Sequence, residues 1–367
     1  AGQPTDKFYA VRDLLKNYLN EGETLANIPK NKDVIAISEF EMKESANLFE
    51  NLPKPKKTKD IQTMEMFDQG WGSVIYRTNL PAGKKGRQLV ITEVHDWAAV
   101  YLNGKLLGHL DRRRNEKTIE LPETTNESRL DILVDAMGRV NWGATIIDRK
   151  GITEKVELIQ DEETTLLQNW EVFNIPVDAA FQKRANFNST KSTGPAWYRT
   201  TFNLNQVGDT YLDVSKLGKG MVWINGINMG RYWEIGPQQT LYIPGCWLKK
   251  GNNEIIILDL KAHDQEVSVS GVQTPVLDQI NLEVTLKNRK EGQNLNLTDE
   301  VPVKTGDLKN TKDWQEVTFD KVVNGRYFCF EATTPQREGD DYASMAEFQV
   351  LGENNQSLSR SEWKMMY

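Results

Sequence analysis

Side chains that make or break bonds are sparse in this chain. Cys246 and Cys329 are the only cysteines, far apart in the sequence, so neither a disulfide framework nor a Cys-rich metal site is expected. His95, His109 and His263 show no metal-ligand spacing, and no metal or cofactor is expected. Carboxylates are abundant without forming a constellation. Glu93, Asp96 and Asp135 sit on or beside strands that the pattern predicts, where a cross-strand or turn partner accounts for each. The conspicuous cluster is aromatic: Trp223, Tyr232, Trp233 and Trp247, with Arg231 among them. Such rings either stack on the apolar C–H face of a pyranose or fill the space between packed domains, and packing is the favoured reading.

The element that carries this cluster is a hairpin, Met221 to Trp233 (MVWINGINMGRYW). Asn225-Gly226 is the pair that a type I′ turn prefers, because both central residues need φ > 0. On strand parity Trp223 points away from Val222 and Ile224, so one of these sets faces a core and the other a neighbour. The same hairpin occurs earlier. Asn103-Gly104, Tyr76-Arg77-Thr78, Gly108 and Pro122 recur 122 positions later as Asn225-Gly226, Tyr198-Arg199-Thr200, Gly230 and Pro244. Leu130 to Asp135 (LDILVD) matches Glu254 to Asp259 (EIIILD) at 124, which implies a two-residue insertion. Landmarks in one order at nearly one offset predict a duplicated unit of about a hundred residues, the size of one β-sandwich. Trp223 and Arg231-Tyr232-Trp233 are peculiar to the second copy, and they are expected to face a neighbouring domain. The repeated Arg77 and Arg199 are read as serving the shared fold.

The fold class expected is mostly β: two tandem jelly-roll sandwiches, a smaller C-terminal β module and one N-terminal helix. Residues 1–60 hold an amphipathic helix at Phe8 to Leu19 and a linker; 61–160 form the first sandwich, 161–194 a bridge and 195–262 the second sandwich. Residues 263–367 are a transition and the last module, with strands at Ile280 to Thr285, Trp314 to Phe319, Arg326 to Ala332 and Met345 to Leu351. The 367 residues carry a net charge of −7, which argues against nucleic acid, whose phosphates need a concentrated basic face. Lys54, Lys56, Lys57 and Lys59, beside Pro53 and Pro55, read as a solvated linker, and Arg112-Arg113-Arg114 as a hairpin edge. No apolar run approaches the ~20 residues of a membrane span, and no signal peptide is visible.

Met137-Gly-Arg-Val-Asn-Trp-Gly143 and Asp148-Arg-Lys-Gly-Ile152 resemble the β-galactosidases of glycoside hydrolase family 35. The likeness extends through Thr63-Met-Glu65, Trp71-Gly72, His95-Asp96, Pro195-Ala-Trp-Tyr-Arg199, Gly220 to Trp233 and Gly236-Pro-Gln-Gln-Thr240, over about residues 7 to 280. In that family a (β/α)₈ barrel precedes galactose-binding-like sandwiches, and the helix at 8–19 resembles the barrel's last helix. The two barrel glutamates of that family have no counterpart here, so the resemblance assigns no catalytic residue and leaves open whether the chain is itself an enzyme. It implies a C-terminal region that braces the barrel of a retaining β-galactosidase. The alternative is a carbohydrate-binding module for galactose-containing glycans. Arg139, Asn141 and Trp142 would bind a sugar hydroxyl or, the favoured reading, tie their loop to the barrel. Gly325 to Gly352 resembles the closing half of a discoidin-like module, and both ends of the chain read as interrupted. The resemblance and the sparse cysteines imply an extracytoplasmic setting, periplasmic or secreted.

Overall fold

The computed structural model describes residues 2–143, 146–161, 163–178, 185–189, 192, 194–261 and 266–281, then 302–309, 311, 313–320 and 350–352. His263, Cys329 and nearly all of the strand expectations at 280–285, 326–332 and 345–351 lie outside the described residues, as does most of the discoidin-like stretch. The elements run α1 (Asp6–Leu15), β1 (Ile37–Glu41), β2 (Glu44–Asn47), β3 (Lys56–Thr58), β4 (Ser73–Leu80), β5 (Arg87–Ile91), β6 (Val94–His95), β7 (Trp97–Leu102), β8 (Lys105–Asp111), β9 (Thr118–Leu121) and β10 (Ser128–Asp135). There follow β11 (Gly151–Ile152), β12 (Val156–Gln160), β13 (Glu163–Leu166), β14 (Trp170–Ile175), β15 (Ala196–Leu204), β16 (Thr210–Asp213), β17 (Lys219–Ile224), β18 (Ile227–Trp233), β19 (Thr240–Ile243), β20 (Gly251–Asp259) and β21 (Ser268–Val272).

These strands build two sandwiches of one design. In the first, the sheet β3-β14-β4-β10-β7-β8 encloses a core with β13-β12-β5-β9; in the second, β2-β15-β20-β17-β18 does so with β1-β21-β16-β19. The duplicated hairpins share their turn: Asn103 and Gly104 have φ of 51° and 81°, Asn225 and Gly226 of 50° and 82°. They also share a β-bulge, after Val100 in one copy and after Val222 in the other, with Val100 opposite Gly108 and Val222 opposite Gly230.

One expectation about the repeat is corrected. Ile132 pairs with Tyr76 and Val100, and Ile257 pairs with Tyr198 and Val222, so the last strand is offset by 125 and carries a three-residue insertion. A one-residue slip along a strand moves every side chain to the opposite face. Asp135 and Asp259 therefore look alike in sequence yet face opposite ways.

The expected boundaries also shift. In the first sandwich β14 lies beside β4, and β13 beside β12. The equivalent places in the second are filled by β2 beside β15 and β1 beside β21. The second sandwich thus draws two strands from the segment read as linker, and the first sandwich is inserted into it. The "bridge" contributes β13 and β14 to the first sandwich. The Pro/Lys run likewise contains β3, with Lys57 paired to Glu171 at 3.3 Å. It is an edge strand, where lysine and proline are tolerated because one row of backbone groups has no ladder partner. Short outer strands have too little alternation to announce themselves; their partner edge orders them.

Each large sheet is buried on both faces, as the continuous burial of β7 and β17 shows. One face lines its own core. The other forms a seam between the sandwiches, where Ile75, Ala99, Tyr101 and Leu133 meet their repeat equivalents Trp197, Met221, Trp223 and Leu258 in one apolar cluster. By contrast α1 buries no residue; Phe8, Val11, Leu14 and Leu15 are all exposed. Residues 280–367 form a separate unit. Within it Trp314 to Phe319, expected as a strand, is irregular, with Trp314 and Val317 exposed and no strand partner among the described residues.

Candidate functional site

Two clusters of charged and aromatic side chains stand out, one in the seam and one beneath the 137–150 loop. The seam holds most of the aromatic set. Trp223 is 3% exposed and packs on Trp197 with ring centroids 5.5 Å apart. Lys219, the repeat equivalent of Trp97, is buried and pairs with the Asp135 carboxylate, which also accepts from Arg231 Nη1 at 3.1 Å and from Ser73 Oγ at 2.9 Å. The Lys219 ammonium lies 4.7 Å from the Trp233 ring centroid and 5.4 Å from that of Trp97, and Arg113 covers Trp233 at 4.4 Å. Burial raises the Asp135 carboxyl, and the charges of Lys219 and Arg231 outweigh it and hold the group below the usual range. The arrangement is a closed charge pair between rings, which locks two surfaces in register.

Tyr232 does not join the seam. It points into the second core, where its hydroxyl donates to Leu258 O at 2.9 Å and to Asp259 Oδ2 at 3.0 Å. The expectation that all four hairpin residues face a neighbour is therefore corrected for Tyr232, which sits on the other parity of β18. Trp247 is 40% exposed beside the hairpin turn, its carbonyl accepting from Asn225 Nδ2 at 2.8 Å.

The second cluster fixes the loop that carries the MGRVNWG motif. Lys150 is fully buried, and its Nζ donates to Asp96 Oδ2 (2.7 Å), Asp148 Oδ2 (2.8 Å) and Gly138 O (2.9 Å). Arg112 Nη1 reaches the other oxygens of the same carboxylates, each at 2.8 Å. The amides of Met137 and Val140 complete the set on Asp96 and Asp148. Burial pushes the Asp148 carboxyl up, but hydrogen bonds from Lys150, the Val140 amide and Arg112 prevail and hold it at about 2. A general acid needs the opposite shift, so Asp148 does not fit that role. Arg139, expected to reach toward the barrel, turns inward: it donates to Asp148 O at 2.6 Å and Gly70 O at 2.7 Å and pairs with Glu65 at 2.8 Å. Its loop needs those donors to close. Asn141 and Trp142 stay outside, and Trp142 is 87% exposed, as is Ile147 on the same loop at 81%; Trp71 and Met66 are exposed as well.

Sequence reasoning did not single out Lys219, and it took Arg112 only as part of a hairpin edge and Asp148 and Lys150 only as part of a family motif. A signal existed for the seam: strands such as WAAVYL and EIIIL lack polar alternation, and an antiparallel strand with two apolar faces has both covered. The quartet left no such trace, because its members come from three separated segments. The remaining buried aspartates are satisfied too: Asp131 by Arg77 and Arg129, Asp111 by Arg113, Asp209 by Tyr242 and the Gly245 amide.

Fold and site together define a pair of galactose-binding-like sandwiches joined through their large sheets. Residues 62–176 match the family described as β-galactosidase, first all-beta domain, and residues 195–253 that described as β-galactosidase, galactose-binding domain. Among relatives, a β-galactosidase of Xanthomonas manihotis is 34% identical over 66% of this chain and 40% of its own length. Beta-galactosidase 1 of Dictyostelium discoideum is 30% identical over 76% of this chain and 46% of its own, and beta-galactosidase 17 of Arabidopsis thaliana 31% over 72% and 42%. The chain belongs to the β-galactosidases of glycoside hydrolase family 35, as the region outside the barrel. It spans less than half the length of these relatives.

Proposed function

We propose that this chain is the bracing region of a β-galactosidase, docking on the catalytic barrel and walling its substrate entrance with the 137–149 loop. The whole enzyme would remove terminal β-D-galactosyl residues with retention, using two barrel glutamates about 5 Å apart. The observation that carries the reading is the contrast between closed and open surfaces. Every buried carboxylate among the described residues is already held by cations or hydrogen-bond donors. Meanwhile α1 exposes its apolar stripe and a pinned loop exposes Trp142. An apolar helix face in water favours burial by about 25 cal/mol per Å². Purified alone, the chain is expected to show no turnover of an aryl β-galactoside, and hydrolysis that follows it through successive columns would sink the idea. A separately expressed family barrel is expected to bind the chain, and Leu14→Asp to weaken that binding.

The exposed Trp71 and Trp142 support a second reading, direct binding of galactose-containing glycans. Titration of galactose, lactose and galactan against tryptophan fluorescence, with Trp142→Ala as control, separates the two. A saturable response lost in Trp142→Ala favours glycan binding; a flat response leaves the brace.

A further inference from the structure

The two sandwiches are copies of one unit, so each serves as a control for the other, and they differ at one end. In the second sandwich the end that carries the Asn225-Gly226 turn exposes Val207, Ile227, Tyr242 and Trp247, each by 37–40%. At the repeat-equivalent places the first sandwich exposes Lys84-Lys85, Lys105, Glu120 and Thr125. If the fold needed apolar side chains there for its own packing, it would need them in both copies. The first copy closes without them, so the apolar set serves something outside the sandwich.

This end is braced as one piece. Asn225 Nδ2 donates to Trp247 O at 2.8 Å and to Asn253 Oδ1 at 2.9 Å, which fastens the hairpin turn to the Gly245–Trp247 turn. Tyr242 OH donates to Asp209 Oδ2 at 2.8 Å and the Gly245 amide to Asp209 Oδ1 at 2.7 Å, which ties both to the loop of Val207. A frame already ordered pays less on binding. The same frame receives the chain coming from α1. Asp209 N donates to Asp33 O and Ile35 N to Asp209 O, each at 2.8 Å, and Gln206 Nε2 donates to Asp33 Oδ2 at 3.1 Å. Between α1 and this stitch, residues 19–32 form no helix or strand and reach at most roughly 50 Å. The body that α1 belongs to is therefore tethered to this end of the second sandwich.

The area points to a tethered partner as well. Four side chains exposed by no more than 40% each offer far less than the ~800 Å² per partner that a stable free association buries. A short flexible tether supplies an effective concentration of about a millimolar, at which so small a patch is occupied. We propose that this end of the second sandwich, with Val207, Ile227, Tyr242 and Trp247, is a docking face for the catalytic barrel whose last helix α1 resembles. This rests on the bracing reading above and adds a surface on the sandwich to which the 137–149 loop does not belong.

Cys246, exposed and placed between Tyr242 and Trp247 in the chain, is the reporter. Its alkylation by iodoacetamide is followed by peptide mass spectrometry in the chain alone and in the chain with a family β-galactosidase barrel joined ahead of α1. Amide exchange of Asp6–Leu15 is read in parallel. The barrel is expected to protect α1 and to slow Cys246 alkylation several-fold, while amine labelling of Lys105 at the other sandwich stays unchanged. In the joined protein Ile227→Ser is expected to raise the Cys246 rate toward that of the chain alone, and Lys105→Ser to leave it slow. If α1 is protected and Cys246 reacts as fast as in the chain alone, the docking face is overturned and the brace stands. If α1 stays unprotected too, the bracing reading fails and the docking face with it. Two results in the chain alone also overturn it. Slowing of Cys246 by galactose or lactose assigns the face to a sugar, and slowing with rising protein concentration assigns it to a second copy.

Discussion

His109 and Lys150 show how single residues couple this fold to its solvent. His109 stacks on Trp97 at 5.0 Å in the seam, and its Nε2 has no hydrogen-bond partner. Burial pushes its imidazole down to about 4, and the charge of Lys261 adds to the effect. A free imidazole titrates near 6.5, so below about pH 6.5 the unfolded chain binds a proton that the folded chain refuses. The contribution to stability is whole above that pH and is lost as pH falls toward 4. With the ring partly accessible, the loss by pH 4 is expected to be about 1–2 kcal/mol. Thermal midpoints of wild type and His109→Leu should diverge across pH 6.5–4.5, the wild type falling more steeply; parallel curves contradict this. Lys150 is the buried counter-ion of two aspartates. Lys150→Met leaves Asp96 and Asp148 with the Arg112 guanidinium and the Met137 and Val140 amides but without their buried ammonium, and urea denaturation is expected to show a loss of about 3–5 kcal/mol.

At the scale of the element, the hairpins show why glycine falls where it does. Gly226 has φ of +82° and open space around it, so only backbone strain opposes a side chain there. Gly220, on β17, has its Cα against Leu258 O, and a Cβ would run into that carbonyl. Gly226→Ala is expected to cost about 1 kcal/mol. Gly220→Ala must push β17 off β20 or tilt the sheet, so its loss should be clearly larger in the same denaturation assay. The turn was legible from the Asn-Gly pair, since type I′ geometry is local. The need for glycine at 220 was not, because the atom that excludes a side chain lies on a strand far along the chain.

For the whole molecule the seam is decisive. Trp223→Ala empties a space filled from both sandwiches and is expected to cost about 3–5 kcal/mol, with loss of the single shared unfolding transition. Coincident near-UV and far-UV transitions in the variant, unchanged from wild type, would contradict that coupling. Read alone, the sequence determined what depends on nearest neighbours and simple period: the long inner strands of both sandwiches, the two Asn-Gly turns, the duplication and the helix. It also carried the family motifs, and it showed that Trp223 and Val222 must face different surroundings. Tertiary structure decided the rest. Only strand pairing shows the three-residue insertion that turns Asp135 to the seam and Asp259 to the core. Only the completed sheets show that residues 37–47 close the second sandwich. The carboxylates of Asp96 and Asp148, the Lys150 ammonium and the Arg112 guanidinium meet only after three separated segments pack. Such contacts depend on distance in space, and neither spacing nor composition records that distance.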